Sequence, residues 1–170
     1  PIILDADALN LISKDFNVLD KYKNQIIITP HPGEMSKITG KSVREIQTNR
    51  MKISSDVSRK IKCISVLKGF RTIISSNSGQ IYINGSGNEG MATGGMGDAL
   101  TGIIASFIGQ GYSELESTIL GVYVHGKAGD SIADVTSKRG ILASEIIKKL
   151  PKTIKLIEEN SSISSDLERI

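Results

Sequence analysis

The sequence predicts an α/β fold with a mostly parallel central sheet, and three observations carry that prediction. Apolar runs without polar alternation, Pro1 to Asp7, Gln25 to Thr29 and Cys63 to Leu67, read as strands buried on both faces. Each run ends in polar residues: Asp5 and Asp7, then Pro30-His31-Pro32-Gly33-Glu34, then Lys68-Gly69. The segment between the second and third runs is long enough for a helix, so a right-handed βαβ crossover between parallel strands is expected.

The elements follow in order. Ser42-Val43-Arg44-Glu45 is a capping box, and Val43, Ile46, Arg50, Ile53 and Val57 recur at helical spacing, so one long helix is predicted with only Arg50 breaking its apolar stripe. Thr72 to Ser76 and Gln80 to Asn84 flank Asn77-Ser78-Gly79 and read as an antiparallel hairpin added to the sheet. A Gly-rich stretch from Gly85 to Gly97 opens at Asp98 into an apolar helix, Ala99 to Gln110, stopped by Gly111. Ser113-Glu114-Leu115-Glu116 caps a further helix reaching towards Asp134. A loop at Lys138-Arg139-Gly140 precedes a helix from about Leu142 to Leu150 and another begun by Pro151. The Ser-rich stretch from residue 160 to 170 reads as a loosely ordered tail.

Composition narrows the function. The 170 residues suit a single domain, and 39% hydrophobic with 23% charged residues is ordinary for a globular chain. A net charge of +3 and seven aromatic residues, none of them Trp, argue against a nucleic-acid backbone as the main partner. No apolar run reaches the roughly 18 residues a membrane helix needs. The single cysteine, Cys63, has no internal disulfide partner and reads as an inert core thiol, so a reducing, cytoplasmic setting is expected.

The chemistry gathers at Asn88-Glu89-Gly90-Met91-Ala92-Thr93-Gly94-Gly95-Met96-Gly97-Asp98, a glycine-rich turn running straight into a helix. Unpaired amides in the first helical turn, together with the helix dipole, make an anion site for which phosphate is the natural guest. Asp98 stands at the same helix start. A carboxylate base beside a phosphate cradle is what phosphoryl transfer to a hydroxyl requires, whereas a lone Gly-Asp pair would be read as an ordinary helix cap.

This stretch resembles the Gly-X-Gly-Asp turn of the ribokinase-like superfamily. Within it, the run from Gly90 to Asp98 is most similar to the NAD(P)H-hydrate dehydratases, with Met96 where that family more usually has Thr. Three further stretches match in order: Leu4-Asp5-Ala6-Asp7-Ala8-Leu9-Asn10, Thr29-Pro30-His31-Pro32-Gly33-Glu34, and the Lys-Gly-X-X-Thr pattern Lys68-Gly69-Phe70-Arg71-Thr72. The resemblance implies a three-layer αβα fold, ADP or ATP as co-substrate with Mg²⁺, and hydrated NADH or NADPH as the molecule repaired. It also implies βα units ahead of the Asp-Ala-Asp strand, so the chain is expected to be a fragment or to pair with a second chain. A homo-oligomer is expected too, and an NAD(P)H-hydrate epimerase as fused domain or separate partner.

By the same resemblance, Asp98 is the base that takes the proton of the substrate's 6-hydroxyl. Gly94, Gly95, Met96 and Gly97 offer amides to the phosphoryl in transfer. Lys68, Gly69, Phe70, Arg71 and Thr72, with Gly97, bind the nucleotide, and His31 and Asp98 face the hydrated nicotinamide. Glu34 and Asp5 are candidates for holding Mg²⁺ through water, as a cation that keeps several waters would allow. The plainer readings stay open: a solvated strand-end lysine at 68, a turn histidine at 31, and a first-turn helix acid at 34. His125 reads as a structural helix histidine. The nine basic and two acidic residues from Lys41 to Arg71 read as a solvated face able to attract a polyanion. Competing functions are a thiazole- or hydroxymethylpyrimidine-type kinase of the same superfamily and a non-catalytic nucleotide-binding module.

Overall fold

The computed structural model describes residues 1–22 and 25–167, with side chains described to residue 160. Five strands form one sheet in sequence order: β1 (Ile2–Leu4), β2 (Ile26–Ile28), β3 (Ile64–Leu67), β4 (Ile73–Ser75) and β5 (Ile81–Ile83). β1 and β2 pair in parallel, as do β2 and β3, while β4 runs antiparallel to both β3 and β5. Four of the five strands therefore point one way, and the predicted hairpin is the β4–β5 pair.

Side-chain alternation along the buried strands divides the molecule into layers. Ile26, Ile28 and Leu67 pack with Leu9 of α1 (Ala6–Ile12), Met35 of α2 (Pro32–Thr39), Ile46 of α3 (Val43–Thr48) and Ile53, Val57 and Ile61 of α4 (Arg50–Ile61). Ile27, Ile64, Val66 and Ile74 turn to the opposite face and meet Leu100 and Ile104 of α5 (Met96–Gly109) and Val122 of α6 (Glu114–Ala133). Behind α5 and α6, a third apolar cluster that includes Phe107, Val124 and Ile146 seats α7 (Ala143–Leu167) away from the sheet. The seam between α4 and the sheet is polar, with Ser75 Oγ donating to Ser54 Oγ at 2.9 Å and Ser58 Oγ to the Ser75 carbonyl at 2.9 Å. Hydroxyls thus satisfy one another where the helix has no large side chain to bury.

Several elements differ from the sequence reading. β1 ends at Leu4, and Ala6, at φ 49°, turns the chain into α1, so Asp5 sits on the bend and Asp7 in a helix. The single long helix expected from Val43 is two, because Asn49 at φ −125° and ψ 36° closes α3 and opens α4. α5 starts three residues earlier than expected, so Asp98 lies inside its first turn. Pro151 lies within α7 instead of starting a helix. Its missing N–H falls beside the exposed Ile147, where solvent can take the freed carbonyl. α7 runs to Leu167, and residues 168–170 of the stretch read as a tail lie outside the described residues.

Candidate active site

Three strand ends and one helix start converge on Lys68. The residue follows β3, and its Nζ donates to Asp5 Oδ1, at the end of β1, at 2.7 Å. The same ammonium lies 3.9 Å from Oε2 of Glu34, in the first turn of α2 after β2. From α5, Thr101 Oγ1 donates to Asp5 Oδ2 at 3.3 Å. Lys68 is therefore tied to a neighbouring strand end and is not the solvated side chain of the plainer reading. Burial works against ionisation of Asp5, but the hydrogen bond and charge of Lys68, with Thr29 and the Ala6 backbone, outweigh it and hold the carboxyl below its usual range.

α5 begins beside this cluster. Its N-cap is Gly95, in the left-handed region at φ 82°, and the first helix bond is donated by Ala99 to the Gly95 carbonyl at 3.0 Å. The amides of Met96, Gly97 and Asp98 precede that bond and have no intrahelical acceptor. A Cβ on Gly97 would lie 3.1 Å from Lys68 Nζ and 3.2 Å from Asp5 Oδ2, so the turn and the ion pair are packed together. Asp98 is exposed, and its carboxylate has no hydrogen bond or ion pair among the described residues. It is not the cap of the helix. Of the two acids here, Asp5 is committed to Lys68 and Thr101, whereas Asp98 is available to accept a proton.

His31 is organised by its own helix. Its Nδ1 accepts from the amides of Gly33 at 2.9 Å and Glu34 at 3.3 Å, while Glu34 Oε2 accepts from the His31 amide at 2.8 Å. This reciprocal capping box fixes the tautomer, since a nitrogen that accepts carries no proton. Nε2 then holds the hydrogen, 3.4 Å from Glu34 Oε1. His31 is thus more than a turn residue, and Glu34 is both the expected first-turn acid and a neighbour of Lys68.

The Lys68–Thr72 turn is pinned from outside. Gly69 has φ 131°, Arg71 has φ 53°, and Thr72 Oγ1 donates to the Gly69 carbonyl at 3.0 Å. Phe70 stands exposed with the Arg71 guanidinium 5.5 Å from its ring centre. Arg50, the polar break in the predicted stripe, donates from Nη2 to the carbonyls of Leu67 at 3.0 Å and Lys68 at 3.4 Å. A Cβ on Gly69 would strike that guanidinium at 2.9 Å.

A cavity of about 760 Å³ opens between this turn, the Ile83–Glu89 stretch, and the facing sides of α5 and α6. Its wall includes Lys68 and Gly97 but none of Asp5, His31, Glu34 and Asp98, so Lys68 and Gly97 stand where two regions meet. Asp130 secures the far wall by accepting from the Gly87 amide and Asn88 Nδ2, each at 2.9 Å. Asn88 Oδ1 in turn accepts from the Gly90 amide at 3.0 Å. A second, more open depression of about 780 Å³ lies between Glu89–Thr93 and Ser137–Leu142, away from the Lys68 cluster.

The expected site residues therefore gather around one helix start, with Phe70 and Arg71 at the outer lip. The sequence reading gave no site role to Arg50, Thr101, Asn88 or Asp130, and it read His125 as structural. Arg50 carried a signal, as the one charged residue in an apolar stripe. Thr101 lies four residues after Gly97, one helical turn away, but nothing in the sequence pairs it with Asp5. Asp5 and Glu34 do not form a metal cage, because the cation nearest both is Lys68, and the described residues contain no cluster of three or more metal-ligating side chains. None of the described helices is long and apolar enough to cross a membrane.

A family model described as NAD(P)H-hydrate dehydratase matches residues 1–152. The bifunctional NAD(P)H-hydrate repair enzyme of Moorella thermoacetica is 42% identical over 159 residues, covering 94% of this chain and 30% of that protein. The ADP-dependent (S)-NAD(P)H-hydrate dehydratase of Neisseria meningitidis is 40% identical over 150 residues, covering 86% of this chain and 50% of its own length. Among solved structures, the ADP/ATP-dependent NAD(P)H-hydrate dehydratase of Bacillus subtilis, co-crystallised with ATP and Mg²⁺, superposes with a TM-score of 0.80 at 31% identity, over 91% of this chain and 54% of that one. The chain spans about half the length of the two dehydratases and under a third of the bifunctional enzyme. The fold is ribokinase-like, as expected. On the family model and these identities, the chain belongs to the NAD(P)H-hydrate dehydratase family.

Proposed function

We propose that the protein carrying this chain repairs hydrated NADH and NADPH, using ADP or ATP to turn the ring hydroxyl into a leaving group. The observation that carries this reading is the solvent-accessible Asp98 carboxylate, without a partner among the described residues, in the helix turn whose free amides abut Lys68. The nucleotide occupies the cavity bounded by Lys68–Thr72, with its terminal phosphoryl against the amides of Gly94, Gly95, Met96 and Gly97. The hydrated nicotinamide lies on the His31 side. Asp98 accepts the proton of the 6-hydroxyl as that oxygen attacks the terminal phosphorus and the bond to the departing nucleotide breaks. Phosphate then leaves from the ring carbon, a proton is lost from the adjacent carbon, and the ring double bond is restored.

Lys68 places a positive charge beside the phosphoryl, and Asp5 and Thr101 hold it there. Mg²⁺, named with the nucleotide for the Bacillus structure, would travel here on the nucleotide's phosphates, with Asp5 and Glu34 suited to its water ligands alone. An upstream epimerase and self-association belong to the same proposal, the former supported by the bifunctional Moorella relative.

The test incubates the protein with hydrated NADH, Mg²⁺ and either nucleotide, and follows the returning near-ultraviolet absorbance of the reduced nicotinamide. Turnover is expected with the wild type, and Asp98→Asn should lower it by about 10² or more while nucleotide affinity stays within a few-fold. A variant retaining above about a tenth of wild-type turnover would remove Asp98 from the base role.

A further inference from the structure

His125 takes no part in the reaction above, yet its Nε2 is buried and has no hydrogen-bond partner. Among the described residues it is the one buried side-chain nitrogen or oxygen in that condition, and native interiors seldom leave one unsatisfied. The residue sits on α6 where that helix forms the cavity wall, with Leu100, Val122 and Gly126 as fellow lining residues. None of these three has a side-chain donor to offer. No described residue donates to Nε2, and His125 is part of the cavity wall, so a molecule held in the cavity is a source from which that donor could come.

The ring's character follows from its surroundings. Burial pushes the His125 pKa down to about 4, against a hydrogen bond with the Met96 backbone that favours the charged ring. A bond of that sign means a ring N–H donating to a carbonyl. The remaining nitrogen of a neutral ring is then a lone-pair acceptor. The apolar Leu100 and Val122 beside it suit the face of a flat base more than a phosphate or a sugar.

We propose that His125 Nε2 accepts a hydrogen bond from the exocyclic amino group of an adenine base in this cavity, and thereby selects adenine over guanine nucleotides. The inference rests on the nucleotide reading of the cavity given above. Adenine presents an amino donor at the six-position, where guanine presents a carbonyl oxygen. With guanine two lone pairs would face each other in a buried site, leaving both acceptors unsatisfied. A site built to hydrogen-bond one ligand group rejects the analogue lacking it far more strongly than an apolar pocket does.

The experiment titrates ADP and GDP calorimetrically into the full-length protein, its His125→Leu variant and its His125→Gln variant. The wild type should bind ADP at least about tenfold tighter than GDP. In His125→Leu the two affinities should come within about threefold, mainly through loss of ADP binding, whereas glutamine, whose amide oxygen can accept, should keep a preference for ADP. Independently of how any variant folds, the ¹⁵N resonance of wild-type His125 Nε2 should move on adding ADP and stay in place with GDP. Equal wild-type affinities, an undiminished preference in His125→Leu, or an Nε2 shift common to both nucleotides would overturn the proposal. So would a preference that disappears with deoxyribose forms of ADP, which would point to a sugar hydroxyl. If ADP and GDP bind equally, the base assignment fails and the nucleotide site stands; if neither binds, the nucleotide reading itself fails.

Discussion

Within the anion-binding turn the glycines are required for different physical reasons. Gly95 needs its left-handed φ of 82°, which an L side chain adopts only at a cost of about 1 to 2 kcal/mol. Gly97 does not lie in that region. It is needed because a Cβ there meets Lys68 Nζ at 3.1 Å and Asp5 Oδ2 at 3.2 Å. A Cβ on Gly94 would find open space. Met96 is buried in the apolar cluster shared by α5, α6 and α7, so its side chain serves packing while its amide belongs to the free helix start. Gly97→Val should therefore displace the Lys68–Asp5 pair and lower turnover by about 10² or more, with a cooperative thermal transition retained. Met96→Thr should change turnover less than about tenfold while costing about 1 to 3 kcal/mol of stability from lost apolar burial. Steady-state rates and denaturant melts of both variants decide it. A collapse of turnover in Met96→Thr with Gly97→Val tolerated would mean that this turn does not hold the phosphoryl.

Elements, rather than single residues, set the distance between Lys68 and the helix start, and α4 is the one that fixes the Lys68 turn. Because Asn49 interrupts what would be one helix, Arg50 opens a new one with its guanidinium under the end of β3. Arg50→Met keeps much of the aliphatic length but removes the donors to the Leu67 and Lys68 carbonyls. Hydrogen bonds from charged donors contribute about 1.5 to 3 kcal/mol each, so a loss of roughly 2 kcal/mol is expected in urea unfolding. Nucleotide affinity should fall with it and affinity for the hydrated cofactor should not; equal losses of both would show that Arg50 supports the fold alone. This element also marks how far the sequence could be read. β2, β3 and the hairpin were legible because uninterrupted apolar runs and a Gly-containing turn are local signals, and the start of α6 was legible from its capping box. The break at Asn49 and the continuity of α7 through Pro151 were not, since each depends on which neighbour covers or exposes one turn of backbone. At the site, the motif residues could be named from their pattern. The ties from Asp5 to Lys68 and Thr101, and from Asp130 to Gly87, span 63, 96 and 43 positions and exist only once the sheet has brought its strand ends together.

At the scale of the whole molecule, buried ionisable groups tie folding stability to pH, and two of them act in the same direction. His125 titrates near 4 in the folded chain against about 6.5 for an unburied histidine. Between those values the unfolded chain binds more protons than the folded one, so stability rises with pH across the window. The contribution is complete above about pH 6.5 and is lost as the pH falls towards 4, amounting to about 3 kcal/mol at 1.36 kcal/mol per pH unit. Asp5, held below the usual carboxylate value of 3.8 although burial alone would raise it, adds a second loss that begins lower, as the unfolded carboxyl takes up its proton. Urea midpoints should accordingly fall from pH 7 to pH 4 in the wild type and continue to fall below pH 4. His125→Gln has no proton to gain and should flatten the upper part of the profile while leaving the part below pH 4 in place. Lys68→Met should do the opposite, because without its ammonium the desolvation of Asp5 acts unopposed by that partner. Identical pH profiles for wild type and His125→Gln would show that the histidine is hydrated in solution and that the wall of the cavity is open at this point.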